Sequence, residues 1–133
     1  QKLFQKAIDI DPDLALAYYC WGVKLMEQGQ LSEAEAKFLI AIEKDPNFAE
    51  AYHNYGVILI RLEKASEAEP YLKRASSISP RNAAIAYSLG EALRMQGKDK
   101  EAIACYRKAI ELDHRYNIGA YAPSRYYPEL RNR

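Results

Sequence analysis

The sequence has little of what marks several classes of protein. Only two of its 133 residues are cysteine, Cys20 and Cys105. Two cysteines cannot form a disulfide framework, and neither belongs to a CxxC pair. Glycine and proline number six each, which excludes a collagen-like chain or a flexible linker. The net charge of only +1 argues against both a basic nucleic-acid binder and an acidic tail protein.

Long apolar runs are also missing. The longest, 38–42 and 57–60, fall far short of the roughly 18 residues that cross a membrane, so we expect no membrane insertion. The chain starts at Gln1 with no signal-peptide pattern, and we expect a trimmed N-terminus and a cytoplasmic location. With 49% hydrophobic and 28% charged residues, the composition is that of one folded domain.

Several residue types recur with a period of 34 residues, which is typical of a repeat protein. The periodic sets are Pro12, Pro46 and Pro80; Gly22, Gly56 and Gly90; Leu25, Leu59 and Leu93; Ala34, Ala68 and Ala102; Ala7, Ala41, Ala75 and Ala109; and the large residues Phe4, Phe38, Leu72 and Tyr106. Six sets that share one period indicate that a single structural unit is repeated.

Each period predicts two helices. Tyr18, Trp21, Gly22 and Leu25 lie on one face of a first helix, which Gly29 ends with a left-handed turn. In two of the second helices a serine followed three residues later by glutamate predicts a capping box, at Ser32–Glu35 and Ser66–Glu69. The predicted helices span 2–11, 15–28, 32–44, 49–62, 66–78, 83–96 and 100–112.

The predicted core lies between paired helices. The small residues Gly22 and Ala34 let the two helices approach closely, and Trp21 and Phe38 are expected to fill the space between them. We expect both rings to be buried.

The sequence resembles the tetratricopeptide repeat family. The resemblance rests on Tyr18-x2-Trp21-Gly22-x2-Leu25, Ala34-x3-Phe38 and Pro46, and it recurs in two further copies. It implies an all-α fold, a right-handed superhelical solenoid of helix-turn-helix repeats. The implied division is the second half of a truncated repeat at 1–14, three repeats at 15–48, 49–82 and 83–116, and an Arg/Tyr-rich C-terminal segment at 117–133.

Catalytic chemistry finds little support in the sequence. Cys20 and His53 occupy nearly equivalent places in successive first helices, but nothing orients the imidazole for a nucleophile pair. Two histidines and two cysteines spread along a rod do not supply the three or four ligands of a metal site. The glycines belong to helix packing and turns rather than to a phosphate loop. We therefore predict no enzyme activity, no cofactor and no metal.

A second stripe of side chains follows the first helices, away from the Tyr18 face. The resemblance implies that these positions line a concave groove that binds a peptide segment. The predicted groove residues are Tyr19, Cys20, Val23, Met26, His53, Asn54, Val57, Ile60, Tyr87, Ser88, Glu91 and Arg94. Burial between adjacent first helices explains the same stripe equally well, and each position can serve both purposes.

Two known modes of peptide binding in the family fit poorly. The clamp of Lys and Asn that holds chaperone carboxylate ends would fall on Tyr19, Val23, Asn54, Ala84 and Ser88, of which only Asn54 matches. The asparagine ladder of the subfamily fused to sugar-transferring enzymes would fall on Cys20, Asn54 and Ser88, again with one match. Carboxylate-clamp binding is therefore not expected in this chain.

The ends of the chain are expected to need covering. At the start, the helix that carries Leu3, Phe4, Ala7 and Ile8 lacks its partner, and at the finish Ile103, Tyr106 and Ile110 would be exposed. Gly119 and Pro123 prevent a full capping helix, so we predict that Ile118, Tyr121 and Tyr126 fold back over the last helix pair.

The predicted function is a protein-protein interaction scaffold or adaptor that binds a peptide segment in the groove. One alternative is the substrate-recognition region of a larger glycosyltransferase-type enzyme, and another is a module that self-assembles through uncapped ends into a homo-oligomer. Arginine and tyrosine in the C-terminal segment suit a protein partner, and nucleic acid is not expected as a partner.

Overall fold

A computed structural model describes residues 2–11 and 13–131 of the chain. Gln1, Pro12, Asn132 and Arg133, on which the predicted trimmed start, one periodic proline and the end of the C-terminal segment fall, lie outside it. The α-helices are α1 (Lys2–Ile10), α2 (Ala15–Glu27), α3 (Leu31–Lys44), α4 (Ala49–Arg61), α5 (Ala65–Ile78), α6 (Ala83–Met95) and α7 (Asp99–Leu112). Short 3-10 turns follow at His114–Asn117, Pro123–Arg125 and Pro128–Leu130.

The predicted all-α helical repeat is confirmed. Every α-helix begins and ends within one residue of its expected bounds. The closest packing joins α2 to α3, α4 to α5 and α6 to α7, while α3 against α4 and α5 against α6 link one pair to the next. First helices of neighbouring repeats also meet, α2 against α4 and α4 against α6. The result is a helical solenoid.

Glycines set the distance between paired helices, as expected. A Cβ atom on Gly22 would lie 2.7 Å from a ring carbon of Phe38, and one on Gly56 would lie 2.6 Å from Leu72. Gly90 faces Tyr106 in the same way, at 2.9 Å. Such distances are shorter than carbon atoms tolerate, so only glycine lets the large residue of the second helix lie against the first.

The expected burial holds for Phe38 and only in part for Trp21. Phe38 is completely buried, and its ring centroid lies 5.7 Å from that of Tyr19. Trp21 remains half-buried because its ring faces α1, where it stacks on Phe4 with 6.3 Å between centroids. Lys37 also places its Nζ 3.8 Å from the centre of the Trp21 ring. Because the Tyr19 ring lies against the buried Phe38 ring, Tyr19, which was predicted for the groove, also packs against the core.

The predicted capping boxes are wrong. α3 and α5 begin at Leu31 and Ala65, so Ser32 and Ser66 already lie inside the helices. The residues before the two helices, Gln30 and Lys64, make no side-chain cap. Because Ser32 and Ser66 follow the first helical residue, their hydroxyls are past the position that caps the free N–H groups.

Among the described α-helices, α6 begins with a side-chain cap. The backbone N–H of Ile85 donates to Asn82 Oδ1 at 3.2 Å. Asparagine is among the preferred capping residues, because its side-chain oxygen accepts from a backbone N–H that the helix itself leaves free. This cap was not predicted.

The turns between paired helices share one backbone shape. Gly29 has φ of 77°, as predicted, and Gly97 has 76°. Glu63 adopts the same left-handed conformation, φ 62°, where the other copies have glycine. A side chain in this region is strained, so the packing of α4 against α5 must hold the turn in place.

A buried glutamate joins two repeats. Glu69 of α5 accepts hydrogen bonds from Gln96 Nε2 and Lys98 Nζ, both at 2.9 Å, and pairs with Lys73 at 2.7 Å. The hydrogen bonds from Lys73 and Lys98 hold its pKa to about 2. Glu69 thus ties α5 to the turn between α6 and α7 rather than capping its own helix.

Candidate functional site

The predicted groove residues lie on three first-type helices, α2, α4 and α6. Eleven of the twelve are half-buried, and Ser88 is buried with 9% of its surface exposed. Tyr19, Val23, Met26, Ile60 and Tyr87 also pack against the central core. The stripe is therefore part core and part surface, which joins the two explanations that the sequence left open.

Two hydrogen bonds connect the stripe from helix to helix. Asn54 Nδ2 donates to the hydroxyl of Tyr19 at 3.3 Å, between α4 and α2. His53 Nε2 and Ser88 Oγ lie 2.8 Å apart, between α4 and α6. Both pairs are 35 residues apart in sequence, one more than the period, so each bond joins the position of Tyr19 and His53 in one repeat to the position of Asn54 and Ser88 in the next. These bonds make the stripe one continuous surface.

Aromatic packing fixes Tyr19 within this surface. Its ring lies 4.8 Å from that of Phe48, at the entrance to α4, and 5.7 Å from that of Phe38. Burial raises the pKa of the Tyr19 hydroxyl, and Glu50 raises it further. Tyr19 is therefore neutral at physiological pH, and its hydroxyl accepts the hydrogen bond from Asn54.

His53 pairs with a serine, but the arrangement does not suit nucleophilic catalysis. Burial lowers the pKa of His53, which keeps the imidazole neutral at physiological pH. Ser88, its partner, is buried between α4 and α6 and so has little access to a substrate. A nucleophile must reach the reacting carbon and needs donors for the developing oxyanion. We interpret the pair as a contact between helices.

The end of the stripe on α6 is occupied by an ion pair. Arg94 donates to Glu91 Oε2 from Nε at 3.3 Å and from Nη2 at 3.2 Å. The buried Tyr106 hydroxyl accepts from Arg94 Nε at 3.2 Å and donates to Glu91. Burial, followed by Glu91, raises the pKa of Tyr106. Glu91 and Arg94 thus anchor α7 to α6.

The C-terminal segment covers this end of the solenoid. The Tyr87 hydroxyl donates to the backbone oxygen of Tyr121 at 3.0 Å, and the Tyr87 ring lies 5.3 Å from that of Tyr116. The guanidinium carbon of Arg94 lies 4.0 Å from the centre of the Tyr126 ring. Tyr127 donates to Asp99 Oδ1 at 2.7 Å. The segment therefore contacts both α6 and the start of α7.

The segment folds back as predicted, but through other side chains. Ile118, Tyr121 and Tyr126, expected to cover the last helices, are 64%, 83% and 49% exposed. The residues that are buried instead are Ala122, Pro123, Tyr127 and Leu130.

Backbone turns explain this difference. Gly119 has φ of 90°, and Pro123 and Pro128 each start a new 3-10 turn, which changes the direction in which later side chains point. Asn117 holds the segment closed, because its Nδ2 donates to Leu130 O at 2.8 Å and its Oδ1 accepts from Ser124 N at 3.2 Å. The sequence offered no signal for these two bonds.

The two ends of the solenoid differ in exposure. On α1, Leu3 is exposed and Ile8 is buried. At the other end Tyr106 is completely buried and Ile103 is half-buried, because the C-terminal segment and α6 surround α7. The C-terminal helix pair is thus covered from within the chain.

Two tetratricopeptide repeat models match the chain, one over residues 15–48 and another over residues 47–115. The second alone covers more than half of the sequence. The chain belongs to the tetratricopeptide repeat family. No curated protein sequence matches it.

Solved structures share the tetratricopeptide repeat fold. MamA from Desulfovibrio magneticus RS-1 superposes with a TM-score of 0.79 at 22% identity, over 85% of this chain and 64% of that one. The first repeat domain of Spaghetti (RPAP3) bound to the HSP90 peptide SRMEEVD gives 0.78 at 22% identity, over 87% and 89%. YrrB, described as having an unusual peptide-binding site, gives 0.75 at 26%, over 84% and 57%. The chain spans less than two thirds of the MamA structures.

Metal-ligand clusters and helices fit to span a membrane are absent from the described residues of this tetratricopeptide repeat chain. Within residues 2–11 and 13–131, no three His, Cys, Asp or Glu side chains converge as metal ligands would. None of the helices over the same residues has the length and apolar character of a membrane span. Cys20 and Cys105 are free thiols, and burial raises the pKa of Cys105.

Proposed function

We propose that this chain is a non-catalytic interaction scaffold whose stripe on α2, α4 and α6 binds a peptide segment as a concave groove. The observation that carries the proposal is the continuity of the stripe. Asn54 joins Tyr19, and His53 joins Ser88, so half-buried side chains of three helices form one surface. A surface held rigid before binding loses less entropy when a partner binds.

The chemistry of the stripe suits a peptide with an apolar anchor. Val23, Met26, Val57 and Ile60 are half-buried on α2 and α4, so part of each side chain remains available for contact. Apolar positions spaced along parallel helices are used by proteins that bind helical or extended segments in a groove. On α6, Glu91 and Arg94 bond Tyr106, and Arg94 also lies over the Tyr126 ring, so we place the groove mainly on α2 and α4.

Related folds support a binding role. The Spaghetti domain is solved with an HSP90 peptide, and YrrB is described by its peptide-binding site. Because Asn54 alone matches the positions of the carboxylate clamp, we propose that this chain holds its partner by apolar contacts instead. The repeat boundaries at 48, 82 and 116 and the cytoplasmic location belong to the same proposal, and free Cys20 and Cys105 suit a reducing compartment.

A random 12-residue peptide display library provides the test. Val57→Glu places a charge on the stripe, and we expect it to abolish enrichment of the peptides that the unaltered chain selects. Leu39→Glu is the matched control, because Leu39 is an exposed apolar residue on α3, outside the stripe. Circular dichroism checks that both variants keep their helices.

The outcomes separate binding from burial. Equal enrichment by the Val57→Glu variant and the unaltered chain would contradict the groove. A large fall in melting temperature for Val57→Glu alone would show that Val57 serves the core, and Val23→Glu, on α2, would then repeat the test.

A further inference from the structure

An open cleft lies where the C-terminal segment meets α6. Its volume is about 250 Å³, and it is lined by Tyr87, Arg115, Tyr116, Ile118 and Tyr121. A neighbouring depression of about 290 Å³ shares Arg115 and Tyr116 and adds Asp113. Of the residues that line the cleft, only Tyr87 belongs to the predicted groove, so the cleft extends that surface beyond the last first-type helix.

The aromatic walls of the cleft are held in place from behind. Tyr87 packs against Tyr106 and Tyr116, with 5.6 Å and 5.3 Å between ring centroids. Its hydroxyl bonds the backbone of Tyr121, which fixes the chain there and leaves the Tyr121 ring 83% exposed. Tyrosine rings give large contact areas at a small cost in entropy, and they recur in binding hot spots.

Two arginines lie at the edge of the cleft, Arg115 in its lining and Arg125 next to it. Asp113 accepts from Nε of Arg115 at 3.0 Å and from Nη2 at 2.7 Å, which orients a guanidinium whose side chain is 79% exposed. Arg125 Nη1 donates to the backbone oxygen of Ala120 at 2.7 Å, which places a second guanidinium beside Tyr121. Asp113 balances the charge of Arg115, so the positive excess next to the cleft comes from Arg125, which lies near Tyr121 but does not itself line the cleft. Guanidinium groups favour carboxylate partners.

We propose that this cleft binds an acidic peptide segment that inserts one bulky apolar side chain among Tyr87, Tyr116 and Tyr121. The carboxylates of that segment then face Arg115 and Arg125. The volume suits a single large side chain, and the arginine rim selects acidic neighbours for it. The proposal deepens the proposed function, on which it rests, because Tyr87 lies at the end of the groove and in the wall of the cleft.

The test uses the full chain and the same random 12-residue library. We expect the selected peptides to combine acidic residues with a bulky apolar one. Fluorescence anisotropy with the most enriched peptide then compares two variants whose side chains are exposed, Tyr121→Ser and Ile118→Ser. We expect each to weaken binding about tenfold, as loss of one anchor contact does. Leu16→Ser is the matched control, since Leu16 is 56% exposed on α2.

Charge is tested separately. Arg125→Gln removes the positive excess, and we expect about tenfold weaker binding of the acidic peptide and no change for the same peptide with its acids replaced by glutamine. Arg61→Gln, on an exposed residue of α4, is the control. Melting curves verify that every variant folds.

The possible failures differ from those of the groove. Peptides that lose affinity with Val57→Glu but bind the Tyr121→Ser and Ile118→Ser variants as well as the unaltered chain would overturn the cleft and leave the groove intact. Selected peptides with a basic or uncharged consensus would overturn the acidic partner. Peptides insensitive to Val57→Glu but sensitive to the cleft variants would support the cleft and contradict the groove. No enrichment at all would overturn both.

Discussion

The first helix of the second repeat and the C-terminal segment hold equivalent places in the sequence and fold differently. α4 starts at Ala49, α6 starts 34 residues later at Ala83, and the same period would start another helix at 117. The residue before this point keeps its role, since Tyr116 packs on Tyr87 as Phe48 packs on Tyr19. Beyond it the segment forms 3-10 turns instead of an α-helix.

The difference teaches which residues make a repeat helix and which replace it with short turns. α4 has Gly56 where it meets Leu72, whereas the C-terminal segment has Gly119 near its start, with φ of 90°, and prolines at 123 and 128. Proline removes a backbone donor and blocks helical continuation, so no long helix can form there. The short turns still bury Tyr127 and Leu130, so they cover the last helix pair that the structure describes.

The largest expected effect is in the repeat core. Phe38→Ala removes a completely buried ring that lies against Gly22, and it should lower the free energy of unfolding by about 3–5 kcal/mol. Trp21→Ala should cost less, because the Trp21 ring is only half-buried. Chemical denaturation monitored by circular dichroism measures both. Equal losses for the two variants would contradict the burial that separates them.

Removal of the C-terminal segment tests its role as a cover. Deletion of residues 117–133 exposes Tyr87 and Tyr106, so we expect a melting temperature several degrees lower and association between chains. Differential scanning calorimetry and light scattering over a range of concentrations provide the measurements. A truncated chain that is monomeric and equally stable would show that the segment is not a cap.

The period of 34 residues was enough to predict the helices and the glycine contacts, because those features depend on the spacing of small and large residues. Other features depend on single contacts between distant parts of the chain. The observed starts of α3 and α5 lie one residue before the predicted ones, so Ser32 and Ser66 have no capping role. Asn82, which was not predicted as a cap, has one. Tyr19 packs in the core and also belongs to the stripe, and this could be recognised only once the positions of Phe38 and Phe48 were known.

The route of the C-terminal segment was the least predictable feature. Its composition indicated that it folds back, but the side chains that face inwards depend on the positive φ of Gly119 and on two bonds made by Asn117. Neither follows a periodic pattern. The candidate groove was predicted as a set of positions, and the cleft beside it was not, because residues 115–121 lie at the edge of the periodic sequence.

A single side chain in the C-terminal segment should have an intermediate effect. Asn117→Ala removes the hydrogen bond that Asn117 donates to Leu130 O and the one that it accepts from Ser124 N. We expect a loss of about 1–3 kcal/mol in the free energy that holds the segment closed. Hydrogen exchange should speed up at Ser124, whose amide proton Asn117 protects, while α4 stays protected. Ile118→Ala is the control, since an exposed side chain should change stability by less than about 0.5 kcal/mol. Unchanged exchange at Ser124 would contradict the role of Asn117.

The smallest expected effect is a pH dependence that arises in the repeats and not in the C-terminal segment. Burial lowers the pKa of His53 in the folded chain, so the unfolded chain takes up the proton first as the pH falls below about 6.5. The contribution of His53 to the free energy of unfolding should therefore be constant above that pH and decrease below it, until the folded state is protonated as well.

Carboxyl groups with a strongly lowered pKa do not interfere above pH 4.5. Glu69 and Asp113 have a pKa of about 2 in the folded chain, against 4.5 and 3.8 for the free groups, so their stabilising contributions are lost only as the pH falls below those free values. His53→Gln keeps a hydrogen-bonding group next to Ser88 and removes the titration. As the pH is lowered from 7 to 5, the denaturant concentration at the unfolding midpoint should decline for the unaltered chain and decline less for the His53→Gln variant. Equal declines in the two proteins would show that another group, and not His53, causes the pH dependence.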